Sequence, residues 1–158
     1  MSHIIFYEKP GCAGNARQRA LLQAAGHTLE RRDLLAQAWT RERLLDFLAP
    51  LPVPDWFNRA APRIKRGEID PDHIDSEAAL AALLADPLLI RRPLMERADG
   101  ARLVGFETAA VHAFVGLVAA SLPSSLEGCA ATLSACGAAH GAGHHGPIET
   151  CTSAGGAK

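Results

Sequence analysis

The chain has 158 residues, 48% of them hydrophobic, which suffices for one domain with a substantial core. Because 16 Lys and Arg stand against 17 Asp and Glu, no overall charge recruits nucleic acid or an anionic membrane. Three of the four cysteines lie in the last thirty residues, unlike the pattern of a small disulfide-stapled secreted domain. No stretch has the pattern of a secretion signal or a membrane span, so we expect a cytoplasmic protein.

The first third of the chain predicts a strand, a helix and a second strand. Residues 3–8 form an apolar run typical of a buried strand, and residues 27–34 alternate weakly as a second strand. Residues 16–25 between them favour a helix, which Gly26 ends. The predicted buried face of this helix carries Ala16, Ala20, Leu21 and Ala24. A short helix between two strands favours parallel pairing of the strands.

Residues 40–86 predict a helical insertion. Thr40 has the character of an N-cap, and prolines between 50 and 54 prevent any long element there. A short helix is predicted over 55–59, and a longer one over 76–85 with Ser76 as its cap. The inward-facing residues of the longer helix are predicted to be Leu80, Leu83 and Leu84.

The chain after the insertion predicts strands and a final helix. Apolar runs at 88–90, 93–96 and 102–104 favour strands, and the Asp99-Gly100 turn joins the last two as an antiparallel hairpin. The last helix is predicted from Glu107 to about Ala120.

Cys12 is the first candidate for chemistry because it lies between the first strand and the first helix. Unpaired N–H groups in a first helical turn create a positive potential that favours thiolate, the reactive form of cysteine. A small buried side chain filling a turn explains the same position. The local pattern alone leaves both interpretations open.

Three stretches carry a resemblance to a known family: FYEKPGC at 6–12, WFNRAAPR at 56–63 and DPLLIRRPL at 86–94. Together with the order of predicted elements, they resemble the arsenate reductase family, which also contains the Spx-type transcriptional regulators. Within that family the chain is similar to a branch described as nitrogenase-associated proteins.

The resemblance implies an α/β thioredoxin-like fold with a small mixed four-stranded sheet. This domain is expected over residues 1–120, with the helical insertion at 40–86. Residues 121–158 are expected to form a flexible C-terminal tail, since they are rich in small residues and have little to bury.

The resemblance also implies that Cys12 is the catalytic nucleophile towards arsenate, with glutathione as co-substrate. Arg63 and Arg92 stand where two of the family's three oxyanion-binding arginines lie, and the forked donors of arginine suit tetrahedral oxyanions. Gly105 stands near the place of the third arginine. One charged contact contributes about 1.5–3 kcal/mol, so we expect arsenate binding or turnover to be tenfold to a hundredfold weaker.

Asn15 and Pro93 complete the predicted site. Asn15 stands where a Cys-x-x-Cys motif has its second cysteine, which argues against a dithiol switch of the Spx kind. Its side chain is expected to cap the helix or to donate to a bound anion. The resemblance implies a cis Arg92-Pro93 bond, although about 95% of X-Pro bonds in folded proteins are trans.

The tail holds residue types that bind metal ions, although their spacing matches no compact zinc finger. A chance polar extension and a metal site that orders on binding both remain open. The candidate ligands are Cys129, Cys136, His140, His144, His145 and Cys151. No tightly bound cofactor is expected.

Two classes of function remain open. The first is a thiol oxidoreductase linked to glutathione and glutaredoxin, with Cys12 as its single nucleophilic cysteine. The second is a non-catalytic accessory protein of nitrogen fixation, which binds a partner protein or handles metal through its tail. No nucleic-acid or membrane partner is expected in either class.

Overall fold

The computed structural model describes residues 1–117. The strands are β1 (His3–Glu8), β2 (Thr28–Asp33), β3 (Leu94–Arg97) and β4 (Arg102–Val104). The helices are α1 (Ala13–Ala24), α2 (Arg41–Leu48), α3 (Pro62–Lys65), α4 (Ser76–Ala85) and α5 (Thr108–Val115), with 3₁₀ turns at Val53–Trp56 and Pro87–Leu89. The predicted boundary at 120 and the predicted tail 121–158 lie outside the described residues.

The four strands form one mixed sheet in the order β2-β1-β3-β4. β1 runs parallel to β2 and antiparallel to β3, and β3 pairs with β4 as the predicted hairpin. This confirms the predicted α/β, thioredoxin-like architecture. Because β1 is central and covered on both faces, its sequence is a nearly continuous apolar run.

The core lies on both faces of the sheet, because successive side chains of a strand point to opposite faces. The helical insertion covers one face, where the buried residues include Tyr7, Leu44, Phe47, Leu80, Leu83 and Leu94. Helices α1 and α5 cover the other face, where they include Ile4, Phe6, Leu22, Met95, Phe106 and Val111. The insertion therefore supplies many of the residues of one of the two core clusters.

The buried face of α1 differs from the prediction. Ala16, Ala20 and Ala24 are exposed, and Leu21 is only partly buried. The residues that are buried instead are Gly14, Asn15, Gln18 and Leu22. Exposing an alanine side chain costs little free energy because the side chain is small. The orientation of α1 is therefore determined by Leu22 and by the hydrogen-bonded side-chain amides of Asn15 and Gln18. A count of apolar residues does not detect these two amides.

One of the two predicted helix N-caps is confirmed and the other is wrong. The Thr40 side chain accepts a hydrogen bond from the Arg43 N–H at 3.2 Å, which confirms the predicted cap of α2. The cap of α4 is Asp75 rather than Ser76. One oxygen of Asp75 accepts from the N–H groups of Glu77 and Ala78 at 3.0 and 2.9 Å. A carboxylate at this end also complements the helix dipole.

Several short elements differ from the predictions near prolines. The predicted strand at 88–90 is a 3₁₀ turn that begins at Pro87, and only Ile90 forms a β-bridge, to Phe57. The predicted helix at 55–59 lies earlier, over Val53–Trp56, and the short helix α3 was not predicted.

The last helix ends earlier than predicted, at Val115. Gly116 follows with φ of 80°, a left-handed conformation that glycine adopts without strain. Among residues 1–117, no helix is long and apolar enough to cross a membrane.

The buried side chain of His27 joins three parts of the chain. Its Nδ1 accepts a hydrogen bond from the Ser2 N–H at 3.2 Å. Nε2 therefore carries the proton and donates to the Gly116 carbonyl at 2.7 Å. The Thr28 N–H donates to the Ser2 carbonyl at 3.0 Å, so the start of the chain, the start of β2 and the end of α5 are held together.

We predict that Asp75→Ala lowers the free energy of unfolding by about 0.5–2 kcal/mol, the usual cost of losing an N-cap. Ser76→Ala is the matched control, because Ser76 is the first helical residue and gives α4 no cap. Urea denaturation under reducing conditions measures both variants. Equal losses in the two variants would show that the cap is not Asp75.

Candidate functional site

The sheet brings two separate parts of the chain to the same end. In the antiparallel pairing of β1 with β3, Tyr7 lies opposite Leu94. The residues after Tyr7 therefore run beside those that precede Leu94. The loop that carries Cys12 and the Arg92-Pro93 segment accordingly lie at the same end of the sheet.

Cys12 is the N-cap residue of α1 and is 6% exposed. Its N–H donates to the Lys9 carbonyl at 3.2 Å, and its carbonyl accepts from the Ala16 N–H at 3.0 Å. Cys12 thus lies at the positive end of α1, between the first strand and the first helix as the sequence predicts. The other cysteines, Cys129, Cys136 and Cys151, lie outside the described residues.

Asn15 holds the loop that carries Cys12. Its side chain is 2% exposed, its Oδ1 accepts from the Lys9 N–H at 3.2 Å, and its Nδ2 donates to Gln18 at 2.7 Å. The predicted capping role is wrong, since Cys12 occupies the cap position and Asn15 lies inside the first turn. Donation by Asn15 to a bound anion stays a prediction.

Glu8 is a buried carboxylate at the start of the same loop, and the sequence analysis did not single it out. Its side chain forms ion pairs with Arg19 of α1 and Arg31 of β2, the latter at 2.8 Å. Only 3% of Glu8 is exposed. The sequence offered one signal for this cluster. Glu8 is an acidic residue at the end of an apolar strand, and arginines follow it in the next two elements.

Arg92 is a buried arginine that lines a cavity. It is 7% exposed, and burial lowers the pKa of its guanidinium below the usual value. The bond from Arg92 to Pro93 is cis, as the resemblance implied. The cavity has a volume of about 390 Å³ and is lined by Pro54, Asp55, Phe57, Asn58, Arg59, Ala60, Arg91 and Arg92. We call it the Arg92 cavity.

The Arg92 cavity does not include Arg63, the other arginine of the predicted pair. The Arg63 side chain is 37% exposed, binds Glu68 at 3.0 Å and lies 3.9 Å from Asp86. Arg59 and Arg91 line the cavity instead. The structure thus brings Arg92 to a cavity with two arginines that the sequence analysis did not select, and a role for Arg63 stays a prediction.

The sequence and the fold are similar to those of known proteins. A model of the ArsC family matches residues 51–114. An uncharacterized 15.7 kDa protein in the draG 3'region of Rhodospirillum rubrum is 46% identical over 129 residues, covering 82% of this chain and 89% of the relative. The chain belongs to the ArsC family.

Solved structures support the same fold. A putative ArsC family related protein from Bacteroides fragilis is 22% identical, with a TM-score of 0.61 over 70% of this chain and 95% of its own. An arsenate reductase related protein from Brucella melitensis is 26% identical, with a TM-score of 0.55 over 72% and 94% of the two chains. At the family level, the protein is arsenate reductase-like with a thioredoxin-like fold.

The ArsC-family chain has a structural reason for glycine near the expected third arginine. Gly105 has φ of 81°, which a residue with a Cβ adopts only with strain, and its N–H donates to the Pro93 carbonyl at 2.8 Å. The next residue, Phe106, is fully buried. An arginine at either position would conflict with this turn or with the core.

Among residues 1–117, no three His, Cys, Asp or Glu side chains converge on a common point. The candidate metal ligands of the tail, from Cys129 to Cys151, lie outside the described residues.

We predict that Asn15→Ala loosens the loop that carries Cys12. Loss of a buried acceptor and donor should lower the free energy of unfolding by about 1–3 kcal/mol and accelerate amide exchange at Lys9. Arg17→Ala, an exposed position on the same helix, is the control. Unchanged exchange at Lys9 would show that Asn15 does not hold the loop.

Proposed function

We propose that this ArsC-family protein is a thiol oxidoreductase in which reduced Cys12 attacks an oxyanion or a thiol-linked substrate. The observation that carries the proposal is the β1–β3 register, which places the Cys12 loop and buried Arg92 at the same end of the sheet. Glutathione, with glutaredoxin as its protein partner, is the proposed source of electrons.

The position of Cys12 suits nucleophilic attack. Cys12 lies at the amino end of α1, where the helix potential favours the thiolate form of its side chain. Low exposure limits the water around the sulfur, and the loop is held by Asn15. A fixed nucleophile loses little entropy when it meets its substrate.

The Arg92 cavity suits an anion. Three arginines and the carboxylate of Asp55 line it, and Arg59 also pairs with Asp72, so one positive charge remains in excess. The planar fork of a guanidinium binds two oxygens of an oxyanion or a carboxylate at once. We propose that Arg92 takes the substrate anion nearest Cys12, and that Arg91 takes part in binding the rest of the substrate.

Arsenate is the test substrate that the family relationship favours. Its reduction to arsenite takes two electrons, which two thiol sulfurs supply by forming a disulfide. In the proposed reaction, one sulfur is Cys12 and the other comes from glutathione. A role among nitrogen-fixation proteins is a second part of the proposal, and it is supported by the motif stretches at 6–12, 56–63 and 86–94.

We predict that the reduced protein turns over arsenate or a small disulfide substrate with glutathione and glutaredoxin, and that Cys12→Ser abolishes turnover. Arg92→Lys should lower kcat/KM about tenfold to a hundredfold, because it removes the forked contact worth about 1.5–3 kcal/mol. Arg66→Ala, an exposed arginine paired with Glu68, is the control. No turnover of either substrate, or full activity of Cys12→Ser, would refute the proposal.

Arg63→Ala distinguishes two versions of anion binding. A tenfold loss of kcat/KM would place Arg63 in substrate binding, as its sequence position implies. Unchanged kcat/KM would leave anion binding to the arginines of the Arg92 cavity. The Glu68→Gln variant reports whether loss of the ion pair alone affects the rate.

A further inference from the structure

We propose that two copies of this chain associate through the outer edges of strand β2, which pair antiparallel and join the two sheets into one. The partner is a second copy of the same chain, related to the first by a two-fold axis at Arg31. The inference goes beyond the proposed function and is independent of it, because the paired edge carries none of the site residues.

Strand β2 is an open edge of the sheet within residues 1–117. The strand order β2-β1-β3-β4 leaves one side of β2 without a partner strand. All six residues of Thr28–Asp33 are exposed or half-buried, and none of them is a proline or has a positive φ. The register with β1 runs from one end of β2 to the other without a bulge. Nothing in this backbone therefore interrupts pairing along its outer side.

The opposite edge of the sheet, β4, is shorter and less open. It has only three residues, Arg102–Val104, and α2 packs against it. The Arg102 guanidinium forms an ion pair with Glu96 at 3.1 Å and lies over the Phe47 ring of α2, with 5.6 Å from Cζ to the ring centroid. Of the two edges, β2 is therefore the one that suits a further strand.

The hydrogen bonds at the two ends of β2 show which backbone groups point outward. The Thr28 N–H donates to the Ser2 carbonyl at 3.0 Å. The Leu34 N–H donates to the Glu8 carbonyl at 2.8 Å. Even-numbered residues thus direct their N–H and C=O groups towards β1, and the alternate residues direct theirs away from it. These alternate residues are Leu29, Arg31 and Asp33.

An antiparallel pair of β2 edges can use these outward groups. With the two-fold axis at Arg31, this residue lies opposite Arg31 of the second copy, and Leu29 lies opposite Asp33. The two Arg31 residues then exchange N–H and C=O hydrogen bonds. Each Asp33 N–H donates to a Leu29 carbonyl of the other copy.

The same register places Glu30 of each copy opposite Arg32 of the other. Unlike charges that lie directly opposite stabilise an antiparallel pair. Within one chain the Arg32 Nε already donates to Glu30 at 2.8 Å, and the two side chains are 40% and 44% exposed. A guanidinium has five N–H donors, so Arg32 can bind a second carboxylate as well. An axis at Glu30 or at Arg32 would instead bring two residues of the same charge into contact at these exposed positions.

Arg31 on the axis is directed away from its counterpart. Its Nε donates to the Glu8 carboxylate at 2.9 Å, and its Nη2 lies 2.8 Å from the same oxygen. Glu8 belongs to β1, which lies on the side of β2 away from the open edge. The guanidinium therefore leans over its own sheet and pairs with a buried carboxylate there, which reduces the repulsion across the axis.

The joined sheet leaves both candidate sites accessible. Cys12 follows the carboxyl end of β1, which runs parallel to β2. In an antiparallel pair the carboxyl ends of the two β2 strands point in opposite directions. The two Cys12 loops therefore lie at opposite ends of the joined sheet, away from the contact between the copies.

Charge reversal on β2 tests the inference in the full-length protein. Sedimentation velocity of the reduced protein, from micromolar to millimolar concentration, should show wild type passing from monomer to dimer. Glu30→Arg and Arg32→Glu each place like charges opposite each other. Either variant alone should raise the dissociation constant of the dimer at least about tenfold. Arg41→Glu reverses an exposed charge that pairs with Glu77 on the helical insertion, and this control should associate as wild type does.

A mixture of the two β2 variants gives the decisive result. It should associate as a heterodimer, because the two positive residues of one chain then face the two negative residues of the other. Neither variant keeps an ion pair between positions 30 and 32 of its own strand, so this rescue reports a contact between chains. Far-UV circular dichroism checks that both variants are folded.

Three outcomes would overturn the inference. These are a wild-type monomer at every concentration, a dimer that either reversal leaves unchanged, and a mixture that associates no better than each variant alone. Turnover that depends on Cys12 should be the same in both variants as in wild type. The oligomeric state and the proposed function are therefore tested separately.

Discussion

The two-sided pairing of β1 is the constraint on which the rest of the structure depends. β2 pairs with it in parallel and β3 antiparallel, so the carboxyl end of β1 leads to Cys12 while the approach to β3 supplies Arg92 and Pro93. These parts are about eighty residues apart in the chain. Tyr7 and Phe6 lie on opposite faces of the sheet. A slip of one residue in the β1–β3 register would exchange these faces, and the core residues would no longer pack beside the site. The same β1–β3 pairing therefore determines both the packing of the core and the position of the site residues.

Carboxylates limit the positive charge both at the loop that carries Cys12 and in the Arg92 cavity. At the start of the loop, buried Glu8 pairs with both Arg19 and Arg31. In the cavity, Arg59 pairs with Asp72, and Arg91 lies 4.0 Å from Asp55. Each group therefore keeps an excess of one positive charge, and in the cavity the buried guanidinium is that of Arg92.

The sequence predicts the parts of the fold whose pattern has one dominant cause. The apolar run of β1, the Thr40 cap and the Asp99-Gly100 hairpin agree with the structure. Failures occur where several residues meet the same local need: Asp75 and Ser76 both suit a cap, and alanines suit either face of α1. At the site, the family resemblance located Cys12, Arg92 and the cis bond to Pro93. It did not locate Glu8, Arg59 or Arg91, because their roles depend on contacts between distant segments.

The hydrogen bonds of His27 have a consequence for the connectivity of the domain. One imidazole receives the Ser2 N–H and donates to the Gly116 carbonyl, so the first residues and the end of α5 lie within the width of a single ring. Nothing in the sheet order requires the chain to begin at β1. A circularly permuted version of residues 2–116 alone, joined across this short gap and opened at the exposed turn around Gly67, should keep the same strand pairing and the same site. The order of the elements along the chain is therefore separable from their arrangement in space.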